Sequence, residues 1–115
     1  MHFKINKITE MKMPLSTQKL AEQLVVPNCE YVPILTECIE TGIERGASYG
    51  SVIDNFREMA RIHNAMFGGD ILPSDMCKVL IATKVSRQKH KHKKDNLIDQ
   101  INYNAILLLL LEKGI

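Results

Sequence analysis

Between Lys84 and Tyr103 the chain reads KVSRQKHKHKKDNLIDQINY, a stretch that joins two amphipathic helical patterns through a dense basic connector. A chain with this feature is steered toward helices that pair across a short turn. Lys84, Arg87 and Lys91 are spaced to share one helical stripe, and Asp95, Asp99 and Asn102 share another a few residues later. A hairpin here brings cations and carboxylates together. That grouping suits a phosphate and its metal ion, and it also suits the more ordinary arrangement, a surface salt-bridge cluster worth about 0–1 kcal/mol.

The same helical period recurs upstream. PILTECIETGIERG starts on Pro33, a residue suited to a first helical turn, and Gly46 is placed to close it, with Leu35, Cys38, Ile39 and Ile43 as its buried face. Glu37, Glu40 and Glu44 line the opposite stripe, which reads either as metal-binding carboxylates or as an acidic face turned to solvent. ERGASYGS reads as a glycine-punctuated loop, after which Ser51 and Asp54 make a capping pair for SVIDNFREMARIHNAMF. The apolar side of that helix includes Val52, Phe56, Met59 and Ala60, with His63 among them as a core histidine, and Gly68-Gly69 ends it. With Ser74 as cap, SDMCKVLIATKVSRQ carries Met76, Cys77, Leu80 and Ile81 inward, sets Lys84 on the edge of the buried face and leaves Arg87 exposed. Asp95 is the predicted N-cap of the last helix. From Ser16, STQKLAEQLVV predicts a short helix ended by Pro27, and residues 1–14 predict a short strand or an ordered arm. Five helical patterns and no convincing sheet give an all-α compact bundle of four to five helices, with residues 1–115 as a single helical domain.

Composition narrows the functional classes. A net charge of +2 does not by itself mark a nucleic-acid binder, although the run after Lys84 is strongly basic. Cys29, Cys38 and Cys77 are odd in number and contain no CxxC pair, which fits neither a disulfide framework nor a zinc site and suggests a reducing cytoplasm. The first fourteen residues lack a signal-peptide pattern. AILLLLLEKGI is too short to span a membrane, so no membrane partner is expected, but a helix apolar nearly all round suggests a homo-oligomer.

Taken in order, ERGASYGSVIDNF, MCKVLIATKVSRQ and HKHKKDNLIDQINYNAILL resemble a family of small, uncharacterised, phage-encoded helical proteins. Their pattern of R-x-x-x-Y-G-x-x-x-x-N-F, K-x-x-R and D-N-x-x-D-x-x-x-Y falls on Arg45, Tyr49, Gly50, Asn55, Phe56, Lys84, Arg87, Asp95, Asn96, Asp99 and Tyr103. That family is in turn distantly similar to the MazG-like all-α nucleoside triphosphate pyrophosphatases, which hold magnesium through ExxE and ExxD pairs. Glu37 and Glu40 match the ExxE spacing, whereas Asp95 and Asp99 stand four apart and come two helices later than the family places its second pair. The resemblance implies a cytoplasmic protein of an infected bacterial host. It also implies Mg2+ on Glu37, Glu40, Asp95 and Asp99, phosphates facing Lys84 and Arg87, and a base read or stacked by Tyr49, Asn55, Asn96 and Tyr103.

Three functions follow as expectations. The first is a nucleotide-binding protein acting as a Mg-dependent (d)NTP pyrophosphohydrolase. The second is a non-catalytic binder that sequesters a nucleotide-derived signal of host antiviral defence. The third, ranked last because the basic run has few aromatics near it, is a nucleic-acid or protein interaction module.

Overall fold

The computed structural model describes residues 29–115, so the predicted helix from Ser16 and the predicted arm or strand at residues 1–14 lie outside the described residues. Within these bounds the chain is all-helical, with four helices and no strand: α1 (Val32–Tyr49), α2 (Val52–Phe67), α3 (Pro73–His90) and α4 (Lys94–Glu112). Two compact units are distinguished, Met1–Ala47 and Ser48–Ile115.

In the first unit Pro33 stands in the first turn of α1, as its missing N–H allows. Gly46 does not close the helix. The helix runs on through ERGASY to Tyr49, and the break falls at Gly50, whose φ of 78° is a left-handed value that glycine adopts without strain. The expected loop is therefore a two-residue corner, because glycine in a helix interior is only mildly unfavourable. Of the expected buried face only Cys38 is buried; Leu35 and Ile39 are exposed and Ile43 is half-buried. Burial pushes the Cys38 thiol up, with a further rise from the neighbouring Glu37 carboxylate.

The second unit is built on α3, which packs against both α2 and α4. α2 opens as its sequence requires, with the Ser51 Oγ accepting from the Asp54 amide at 3.3 Å. Asn64 then fixes the turn into α3 by two 3.0 Å hydrogen bonds, donating to the Ile71 carbonyl and accepting from the Ile71 amide. The expected cap Ser74 is instead buried inside the first turn of α3. Pro73 begins that helix, and the Asp75 carboxylate accepts from the Leu72 amide at 2.9 Å, so Asp75 supplies the capping bond.

The core gathers Phe56 of α2, Cys77 of α3 and Leu110 of α4, with Met59, Leu80, Ile81, Ile106 and Leu107 packed around them. The chain end is tied in as well, since the Ser74 amide donates to the Ile115 carbonyl at 3.2 Å. Met66 and Phe67, in the last turn of α2, are exposed. His63 is half-buried with its ring 5.0 Å from that of Phe67, but it lies outside the core cluster and its buried Nδ1 has no hydrogen-bond partner among the described residues, so it is packed without being a satisfied core histidine.

Two measurements check this packing. Leu110 is fully buried, so Leu110→Ala should cost about 2–5 kcal/mol in chemical denaturation. The Cys77 thiol is also fully buried, which raises its pKa from 9.0 to about 11. The folded state therefore keeps this proton longer than the unfolded chain does. Stability from this group is complete below pH 9 and is lost as pH rises to 11, a fall of about 2–3 kcal/mol. Cys77→Ala should flatten that alkaline limb relative to the parent protein.

Candidate functional site at the α3–α4 seam

Helices α3 and α4 run antiparallel from the basic connector, and their contacts change character along the seam. Far from the connector the facing groups belong to the apolar core, and the Cys77 thiol donates to the Tyr103 carbonyl at 3.2 Å. Nearer the connector the facing groups are polar. Lys84 Nζ lies 2.7 Å from Asp99 Oδ2, with side chains only 17% and 4% exposed. One turn further, the buried Asn96 donates to Gln88 Oε1 at 3.4 Å. Gln88 Oε1 also accepts from the Lys93 amide at 3.0 Å, and Gln88 Nε2 contacts His92 Nδ1. One glutamine thus closes the turn between the helices.

This arrangement corrects the capping of α4. The helix starts at Lys94 with Lys93 at the N-cap position and no side-chain cap, so Asp95 sits exposed in the first turn instead of capping it. A carboxylate there still complements the helix dipole. The stripe Asp95, Asp99, Asn102 consequently divides: Asp95 faces solvent, Asp99 is buried against Lys84, and Asn102 is half-buried with its amide on the Ile98 carbonyl at 3.2 Å.

Of the other predicted site residues, Arg87 is exposed one turn beyond Lys84, as expected. Tyr103 packs against the core. Tyr49 is exposed at the α1–α2 corner, and its carbonyl accepts from the Asn55 side-chain amide at 3.0 Å. Asn55 thus holds a corner together. Glu37 is half-buried and Glu40 exposed on α1, in the first unit, whereas Asp95 and Asp99 belong to the second. Among the described residues, no three His, Cys, Asp or Glu side chains are grouped as for a metal ion. The seam therefore unites Lys84, Asn96 and Asp99. Gln88 was missed in the sequence, although its position one turn after Lys84 on the same face was the available signal.

The family model described as Domain of unknown function (DUF6378) matches residues 34–110. The chain belongs to this family. No curated protein and no solved structure matches the chain. The DUF6378 span contains every predicted site residue and all of the seam, and it begins within α1. No described helix is long and apolar enough to cross a membrane.

In this DUF6378 chain the ion pair carries a definite energetic signature. Removing one partner of a buried pair strands the other charge, so Asp99→Ala should destabilise by about 3–5 kcal/mol and lower Tm by more than about 10 °C. The double substitution Lys84→Met/Asp99→Leu removes both charges and should recover most of that loss in a thermal melt. A double variant as unstable as Asp99→Ala alone would show that the pair is worth more to the fold than apolar packing.

Proposed function

We propose that this protein binds a phosphate-bearing nucleotide or nucleotide-derived molecule at the connector end of the α3–α4 seam. The observation that carries the reading is the ion pair Lys84–Asp99, set with Asn96 and Gln88 into an otherwise apolar helix interface. Buried ion pairs are often no better for stability than apolar residues of similar size, so their presence in a small core points to use. Arg87 stands exposed one turn from Lys84, and Lys89, Lys91, Lys93 and Lys94 are exposed around the same end. These cations suit phosphate oxygens, with the Arg87 guanidinium as a planar clamp. Asp99 holds the Lys84 ammonium in place, and the Asn96 amide offers a polar edge to a base or sugar. The exposed ring of Tyr49 suits stacking.

Magnesium-dependent pyrophosphohydrolysis is the second reading, favoured by the ExxE spacing of Glu37 and Glu40 and by Asp95 and Asp99 one turn apart. The donor set of the seam alone does not fit a magnesium ion, because Asp99 Oδ2 is engaged by an ammonium group and Asp95 faces solvent. The resemblance of the motifs to phage-encoded helical proteins, and more distantly to MazG-like enzymes, supports this reading. The same resemblance supports action in the cytoplasm of an infected bacterium and sequestration of a defence signal.

Calorimetry against nucleoside triphosphates and cyclic nucleotides, with magnesium or with chelator, tests the proposal. Binding should persist in chelator, the ligand should be recovered intact, and Lys84→Met/Asp99→Leu should weaken it at least tenfold. Pyrophosphate release that needs magnesium would transfer the conclusion to the second reading, and a folded protein inert to the whole panel would overturn both.

A further inference from the structure

The face of α4 turned away from the core carries Leu97, Ile101, Asn104, Leu108 and Leu111, spaced four, three, four and three residues apart. That is a 3.5-residue seam of the kind used for helix–helix pairing. All five residues are exposed, the four apolar ones between 37% and 59%. Asp99, Tyr103, Ile106 and Leu110, on the other side of the helix, face α3 and the core. A surface helix needs one apolar stripe, and α4 has two.

We propose that this outer stripe is the contact between two copies of the chain, paired antiparallel along α4 about a two-fold axis near Asn104. The order of residues supplies the argument. The stripe is nearly symmetric about Asn104, so antiparallel pairing sets Asn104 against Asn104 of the second copy, Ile101 against Leu108, and Leu97 against Leu111. An isologous interface demands this self-complementarity. Charge agrees with it. Lys94 and Glu112 lie on one flank at opposite ends of the helix, and the two-fold sets each within about 3 Å, along the axis, of its opposite on the second copy. The exposed Ala105 beside Asn104 leaves room for close approach at the centre. Pairing along the stripe removes on the order of 1,000 Å2 from water over the two copies, the lower limit for a stable specific interface. The polar centre supplies register and orientation at some cost in stability.

The test uses the full chain in light scattering and in cross-linking. The protein should be dimeric, and Leu108→Glu, at an exposed position, should yield a helical monomer. In a Cys29→Ser background, with Cys38 and Cys77 buried, a short bis-maleimide should join Asn104→Cys chains. It should leave Leu97→Cys chains separate, since the two copies of position 97 would stand about 20 Å apart. A monomeric parent protein, a Leu108→Glu dimer as tight as the parent, or Leu97→Cys cross-linking as efficient as Asn104→Cys would overturn the proposal.

Discussion

The second unit depends on the pairing of α3 with α4, and the contact that sets the register of that pairing is Lys84 with Asp99. A slip of one helical turn would bring Leu80 in place of Lys84 to the Asp99 carboxylate and leave a buried charge without its counterion. The penalty for such a state is several kcal/mol, whereas sliding leucine past isoleucine costs little. Gln88 adds a second constraint from the connector side by holding the Lys93 amide and the Asn96 side chain together. The apolar end of the seam supplies the cohesion, with Cys77, Leu110 and Phe56 at its centre.

Connector chemistry follows from this pairing. Arg87 and Lys89 fall in the last turn of α3, where cations complement the helix dipole. Lys93 and Lys94 stand at the start of α4, where the dipole disfavours cations and the Asp95 carboxylate in the first turn complements it. The two helix ends therefore differ in how well their own dipoles suit the basic residues they carry.

The residues singled out by the sequence motif are of two kinds. Tyr49, Gly50, Asn55 and Phe56 build the corner between α1 and α2: Gly50 takes the positive φ, Asn55 binds the Tyr49 carbonyl and Phe56 enters the core. Lys84, Asn96 and Asp99 build the polar seam instead. A short motif does not reveal which of its members answer to backbone geometry and which to a ligand, because asparagine and tyrosine serve both. The helix boundaries show the same ambiguity. Gly46, Ser74 and Asp95 each have the chemistry of a helix end, yet the helices run past all three: Ser74 is drawn into the buried side of α3, whereas residues 44–50, Lys94 and Asp95 are exposed, so there one propensity of about 1 kcal/mol yields to continuation of the helix itself.

Helical periodicity alone determined the all-helical class, the approximate position of the four described helices, the inward face of α3 and the placing of Lys84 at its edge. These depend on local spacing, which the chain carries in one dimension. Tertiary structure decided which face of α4 is buried. The sequence shows apolar residues nearly all round this helix, and the fold buries Asp99 and Asn96 while exposing Leu97, Leu108 and Leu111. A helix with apolar residues on two faces is degenerate in sequence. The carboxylate of Asp99 found its ammonium only when α3 came alongside, and that contact chose the face.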